Sequence, residues 1–498
     1  MLELLLLAIA LLIYFPCLNG PPIYDDQQLF QNQIWTWDAM KKPVLRWLPM
    51  MTLGLTFNKV PPKYALQTLH ATNAVLHWIN ALLVEQVALH YMDPVSASVA
   101  MVAFLVHPLA APAVAPIATR SMVMATGFTL MAVVAIQSGM AVFAVPFVLA
   151  AVFCREDAVS IVPLIIILTT MQSWLSGVGM TGALLLASYF IPIRKTWTWL
   201  MARKGDRGML AAGIVDSFRQ PIYTLTAITE NVIRWPIWVF GLGMNPDPLL
   251  SPVSVRSLRL RAATLILSAA AVFLAVGPPA VQLAILLIGF SPWTATWFIQ
   301  LPDAVAEYRA YSTVAGLALM AGLLPWPIAV ALCLWWILLA CRRSYQQRHP
   351  VPYWIAAWNP KRPKFRVALN LGAAFQQVND LANAQKWHAQ ALELQPTNGI
   401  ALANMGLLHE GMSRVERHLL SQVYVQSGSV NPKEAEQRNQ NSLAHLAEAF
   451  QFMERAEAAC PQDPVVRQYA QMVRESAERV GLRRKEEEPK IHLVAASP

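Results

Sequence analysis

The chain has 498 residues, 56% of them hydrophobic and 13% charged, with a formal net charge of +9. Values so far from soluble norms exclude an ordinary soluble protein, and repeated apolar runs of roughly 15–20 residues predict a polytopic membrane protein. The basic residues fall in loops beside those runs with no nucleic-acid motif, so nucleic acid is not an expected partner. Membrane lipids with anionic headgroups, or a phosphate-bearing substrate, are.

In chain order, residues 1–18 open with Glu3 instead of a positive n-region and lack an A-x-A site before Asp25, so they are expected to be a retained span. Further spans are predicted near 64–90, 95–108, 119–136, 139–153, 158–171, 177–193, 258–275, 279–298, 312–324 and 327–341, about eleven in all. The stretch 43–57, with Arg46 and Pro49 inside an apolar run, predicts an interfacial or re-entrant helix. Residues 194–219 are polar, and 221–243 carries Glu230 and Arg234. The expected domains are a transmembrane domain over 1–341 with large loops at 19–63 and 194–257, a basic Pro-rich linker at 342–364, a soluble helical domain at 365–481 and a disordered tail at 482–498. The five cysteines are scattered without C-x-x-C spacing, which predicts neither a disulfide framework nor a zinc site.

Five constellations interrupt the apolar background. Asp25 and Asp26 follow the first span, where a carboxylate serves either as a helix start or as a general base or metal ligand at the membrane boundary. His70, Asn73, His77 and Asn80 recur at steps of three, four and three, so they share one helical face. That ladder is either interhelical glue or the wall of a wet cavity. His107 and Arg120 bracket "HPLAAPAVAPIATR", whose prolines predict an irregular, broken connection. Arg155, Glu156 and Asp157 crowd one short turn. Glu307 and Arg309 precede a span, where an arginine either clamps a phosphate or snorkels to headgroups. Nearly all this charge falls on one side of the predicted spans, which the positive-inside rule alone would make cytoplasmic.

From about Phe365 the sequence turns Ala-rich with helical period. Leu371, Gly372, Phe375, Ala384, Ala391 and Pro396 match tetratricopeptide positions 7, 8, 11, 20, 27 and 32 of a 34-residue repeat. A second repeat starts at "IALANMGLLHE" and resumes at Ala449, Ala456 and Pro461 after an insertion of about thirty residues, and a polar capping helix follows.

Taken in order, these landmarks resemble the GT-C superfamily of glycosyltransferases that use lipid-linked sugars. The nearest likeness is to its branch with C-terminal TPR repeats, the transmembrane-and-TPR protein O-mannosyltransferases and their bacterial relatives. The residues that carry the likeness are Tyr24-Asp25-Asp26, then His70, Asn73, His77 and Asn80-Ala81-Leu82-Leu83. They continue with His107-Pro108-Leu109, Arg120, Arg155-Glu156, "ENVIRWPIWVFGLGMNPD", Glu307-Tyr308-Arg309-Ala310-Tyr311, Gly316 and Asn370-Leu371-Gly372. The chain departs from the family pattern at Ala110 and Pro112, where a His and a Glu are common, at Met122, where an acidic residue often stands, and at Tyr308, where the pattern has His.

The resemblance implies an all-α, polytopic helical membrane protein with a TPR-type domain, set in a bacterial inner membrane with the site and repeats on the periplasmic or lumenal side. It implies an inverting transfer of sugar from a polyprenyl-phosphate-linked donor to a hydroxyl, with an acceptor protein presented by the TPR domain. Asp25 is then the expected base and Asp26 its orienting partner. Arg309 leads, and Arg120 and Arg155 follow, as ligands of the donor phosphate. Glu156 and Glu307 support these arginines, with His107, His70 and His77 framing the site. No cofactor is marked by composition or spacing, and the likeness leaves room for a divalent metal. Two other functions stay open: a non-catalytic scaffold whose TPR domain recruits partners for envelope or pilus assembly, and a lipid-linked sugar flippase.

Overall fold

The computed structural model describes residues 2–22, 26, 46–190, 239–242, 244, 279–290, 307–427, 431–479, 482–483 and 494–495. Asp25, the stretch 194–219, most of 221–243 and the run 258–275 lie outside the described residues. The fold is all-α apart from one antiparallel pairing of Leu482–Arg483 with Val494–Ala495, inside the terminus expected to be disordered. Two compact units divide the chain, Met1–Tyr353 and Trp354–Pro498.

The first unit contains α1 (Leu2–Leu18), α2 (Trp47–Lys59), α3 (Pro62–Leu89), α4 (Pro94–Val106), α5 (Arg120–Gln137) and α6 (Ala144–Cys154). It continues with α7 (Ile161–Gln172), α8 (Trp174–Phe190), α9 (Pro279–Gly289), α10 (Thr313–Gly322) and α11 (Trp326–Gln347). Start signals are local. Asp93 caps α4 by accepting from the Val95 and Ser96 amides at 2.9 and 3.1 Å, with Pro94 at the first helical position. Two described helices, α5 and α11, are long and apolar enough to cross a membrane, and α4 with Pro108–Val114, bent by 46°, makes a third if counted as one span.

The centre of this unit is α3, which packs on α1, α4 and α5. Its 28 residues carry the four-residue polar ladder, and every rung is buried and bonded. His70 Nδ1 donates to the Ala115 carbonyl at 2.7 Å, and Asn73 Nδ2 donates to the carbonyls of Val114 and Pro116 at 3.3 and 2.8 Å. His77 Nε2 lies 3.0 Å from the Leu105 carbonyl, which can only accept, so that nitrogen carries the ring proton. Nδ1 then accepts from the Tyr311 hydroxyl at 2.8 Å, and the same hydroxyl accepts from Asn80 Nδ2 at 3.1 Å. Asn80 also donates to the Val123 carbonyl at 2.9 Å. Of the two readings of the ladder, interhelical glue is the one the geometry favours. The His70 and Asn73 partners are carbonyls of the proline-rich break between α4 and α5, where helical bonding is interrupted, and the His77 and Asn80 partners are the Leu105 and Val123 carbonyls and the Tyr311 hydroxyl. Close approach of α5 depends on Gly127, where a Cβ would sit 2.6 Å from Asn80 Oδ1.

Apolar composition ends near Cys341, yet α11 runs on to Gln347 and α12 (Pro350–Ala357) follows, so much of the expected linker at 342–364 is helical. The cause is tertiary. Arg343 and Ser344 are buried, Arg343 forms an ion pair with Glu307, and the Cys17 thiol donates to the Ser344 carbonyl at 3.1 Å.

In the second unit, α13 (Phe365–Gln377) and α14 (Leu381–Leu394) form a short antiparallel pair. Their turn places Asn379 in the left-handed region at φ 61°, and Asp380 caps α14 through the Asn383 amide at 3.1 Å. A Cβ at Gly372 would run into the His388 ring, whose Cγ is 2.7 Å away, so only glycine allows this crossing. Among the described residues, the insertion expected in the second repeat is helical. It lengthens both helices, to 29 residues in α15 (Gly399–Ser427) and 28 in α16 (Pro432–Ala459), against 13 and 14 in the first pair. The capping helix α17 (Pro464–Arg479) buries Val466, Ala470, Val473 and Ala477 at helical spacing against this long pair.

Candidate functional site

Chain breaks in the first unit gather the charged residues at one end of α5. Asp26 is buried, and its two oxygens accept from the Ile117 and Ala118 amides at 3.0 and 2.6 Å, just before α5 begins. Those amides belong to the break that the α3 ladder holds from its other side. A carboxylate there is stabilised by unbonded N–H groups and by the positive end of the helix.

Arg120, the first residue of α5, is wholly buried. Its Nε donates to Asn73 Oδ1 at 2.8 Å, one terminal nitrogen to the Leu69 carbonyl at 2.8 Å, and the other to Thr52 Oγ1 of α2 at 3.3 Å. Asp26 is its electrostatic partner. With three of its N–H donors engaged in this way, Arg120 is placed to hold α2, α3 and α5 together.

Arg155 and Arg309 are arranged differently. Arg155 leaves the end of α6 in extended conformation, and its Nε meets both oxygens of Asp157 at 2.8 and 2.9 Å. Arg309, on the short helical turn before α10, donates to the same carboxylate at 3.0 Å. Both guanidiniums face the Tyr308 ring, at 5.4 and 5.5 Å from its centre, within the range of a cation–π contact. One terminal nitrogen of Arg155 reaches Ser121 Oγ at 3.4 Å, which ties this group to the same segment that binds Asp26. Arg309 also feels the positive charge of Arg46, at the start of α2. Its Nε finds no hydrogen-bond partner among the described residues.

Glu307, expected with Glu156 to support the arginines, forms an ion pair with Arg343. Asp157 holds both Arg155 and Arg309, a role the sequence did not assign although its crowding with Arg155 was visible. The Glu156 side chain lies outside the described residues, as does Asp25. His107 ends α4, accepts from the Leu109 amide at 3.1 Å and packs on Trp336 at 4.5 Å between ring centres, so it shapes the break. His70 and His77 are rungs of the ladder. The departures are informative. Ala110, Pro112 and Met122 are buried, whereas Tyr308 supplies the ring shared by the two arginines.

The structure thus brings Asp26, Arg155, Asp157, Tyr308 and Arg309 to one end of the helices, from three separate stretches of chain. Two guanidiniums on one carboxylate, with a third positive charge nearby, favour an anion with several oxygens. Among the described residues, the one group of three His, Cys, Asp or Glu side chains close enough to share a metal ion lies in the other unit, at His409, His445 and Glu448. A His-x-x-Glu spacing on α16 was the sequence signal for it. Comparison with protein families, with curated proteins and with solved structures finds no match to this chain.

Proposed function

We propose that the chain is a polytopic membrane glycosyltransferase that moves a sugar from a polyprenyl-phosphate-linked donor to a hydroxyl acceptor. The observation that carries this reading is the arginine pair on Asp157. Arg155 and Arg309 are held largely apart from solvent on one carboxylate and one aromatic face. A membrane setting is supported by the outward faces of α1 and α11, where Leu4, Leu12, Trp326, Leu334 and Leu338 are each more than half exposed. About eleven spans, a periplasmic site and presentation of an acceptor protein by the TPR-like unit belong to the same proposal.

In the reaction, the acceptor oxygen attacks the anomeric carbon as the bond from that carbon to the donor phosphate breaks. The hydroxyl proton passes to a carboxylate, for which Asp25 is the candidate. Asp26, its neighbour in sequence, is fixed on two backbone amides. The departing polyprenyl phosphate gains negative charge, which Arg309 and Arg155 stabilise. The described residues here do not form a metal-ligand set, since Asp157 is occupied by two arginines and Asp26 by two amides.

The test is release of polyprenyl phosphate from a lipid-linked sugar donor by the purified protein with a hydroxyl acceptor. Asp25→Asn should abolish release while the protein still inserts and accumulates; unchanged release rejects the reading. A scaffold role is favoured by one observation, the buried apolar residues Ala110, Pro112 and Met122 where acidic or imidazole groups would stand. In that case replacing both aspartates is harmless and deleting the tail is as damaging as deleting the gene.

A further inference from the structure

In the second unit, His409 of α15 faces His445 and Glu448 of α16. The last two are three residues apart and therefore share one helical face. The Nδ1 atoms of the two imidazoles are 3.3 Å apart, and His409 Nδ1 is 2.7 Å from Glu448 Oε2. One ligand atom from each residue fits within 4.8 Å of the others.

We propose that His409, His445 and Glu448 form a binding site for a divalent transition-metal ion of the zinc class. Zinc holds imidazole nitrogen at about 2.0–2.1 Å with tetrahedral angles, which places neighbouring ligand atoms about 3.3 Å apart. The two imidazoles already have that separation. The carboxylate oxygen must move out by a few tenths of an ångström, and Glu448 is free to do so because 53% of its side chain is exposed. One proton on His409 Nδ1 must be shared between the Glu448 oxygen and the His445 nitrogen, whereas a metal ion at that point engages all three lone pairs. Two imidazoles and one carboxylate suit zinc and its neighbours better than calcium or magnesium, which prefer all-oxygen sites.

The surroundings support this. His409 is buried, and its ring stacks on Phe452 at 5.6 Å with an interplanar angle of 19°, which fixes its plane. Burial is the main influence on His409 and lowers its pKa; Glu448 acts in the opposite direction and His445 in the same one. Exposure at Glu448 gives the ion a route in and leaves a water at the fourth position. The site joins α15 to α16 within the pair that is about twice the length of its neighbour, where a cross-link between helices adds most. It is independent of the glycosyltransferase reading.

The experiment uses the full-length protein in detergent, stripped with a chelator and then titrated with Co2+ by visible absorption and with Zn2+ by calorimetry. One equivalent should bind, with the absorption of a tetrahedral cobalt centre, and Zn2+ should raise the melting midpoint. In His445→Ala and Glu448→Gln the affinity should fall by more than the roughly 10–100-fold lost when an outer-shell partner is removed. Glu448→Gln changes an exposed oxygen to an amide and decides the matter if His445→Ala does not fold. Absence of stoichiometric binding to the unmodified protein, or equal affinity in the Glu448→Gln protein, overturns the proposal.

Discussion

The hydroxyl of Tyr311 lies 2.8 Å from Nδ1 of His77, and it links two segments more than two hundred residues apart in sequence. It donates to His77, accepts from Asn80 and packs in an aromatic group with Phe104, with Tyr14 edge-on to His77 at 5.9 Å. This contact aligns the turn that carries Tyr308 and Arg309 with α3, which in turn holds the break that binds Asp26. The arginine group and the aspartate are therefore positioned by one buried network.

Tyr311→Phe keeps the ring and removes the hydroxyl, leaving His77 Nδ1 and one Asn80 proton without a partner. The expected loss is about 1–3 kcal/mol, the desolvation cost of unsatisfied buried groups. Thermal or denaturant unfolding of the detergent-solubilised protein measures it, and an unchanged midpoint would show that the hydroxyl is not in the network.

Asp157→Asn removes the shared carboxylate while both guanidiniums stay buried. Breaking such a pair from one side costs about 3–5 kcal/mol. Inorganic phosphate should then raise the melting midpoint of this variant more than that of the unmodified protein, because it replaces the lost charge. Equal shifts would mean that Arg155 and Arg309 do not accept a phosphate there.

Arg309→Lys keeps the charge but loses the planar guanidinium and its cation–π contact with Tyr308. Release of polyprenyl phosphate should fall about tenfold or more, corresponding to at least about 1.4 kcal/mol at the transition state, with little change in melting midpoint. Activity equal to that of the unmodified protein removes Arg309 from the site.

Gly372→Ala should destabilise the second unit, since the new methyl group overlaps the His388 ring. The cost expected for such overpacking is about 1–3 kcal/mol. Combining it with His388→Ala should recover part of the loss, which a double-mutant cycle would read as a favourable coupling.

His388 is buried, neither of its ring nitrogens has a hydrogen-bond partner among the described residues, and burial pushes its pKa down to about 4. The unfolded chain titrates near 6.5, so between these values it binds more protons than the folded form. The stability from the neutral ring is complete above about pH 6.5, declines with acid and is gone by about pH 4, on the order of 3 kcal/mol in all. His388→Leu should remove that slope in unfolding measured from pH 7 to 4.

How much was legible follows a physical division. Helix positions, the ladder at His70, Asn73, His77 and Asn80, and the buried helical positions at Leu371 and Gly372 depend on periodicities of a few residues, which a sequence displays directly. Asp157 as the shared partner of Arg155 and Arg309 was not legible, because ion pairs depend on how separate breaks meet in space. The continuation of α11 beyond Cys341 was hidden for the same reason, since it depends on Glu307, 36 residues away from Arg343.

By itself, the sequence determined the all-α class, the two-part division, the broken connection after His107 and the concentration of charge beside the apolar runs. Each of these follows from local hydrophobic period, proline chemistry or composition. Only the tertiary structure decided what the polar groups do. It assigned the ladder to the loose carbonyls of the break, buried Arg120 as a tie between helices, and set Asp26 on two amides. It also joined His409 to His445 and Glu448. Buried polar groups must find partners wherever the packed chain offers them, and the sequence does not list those distances.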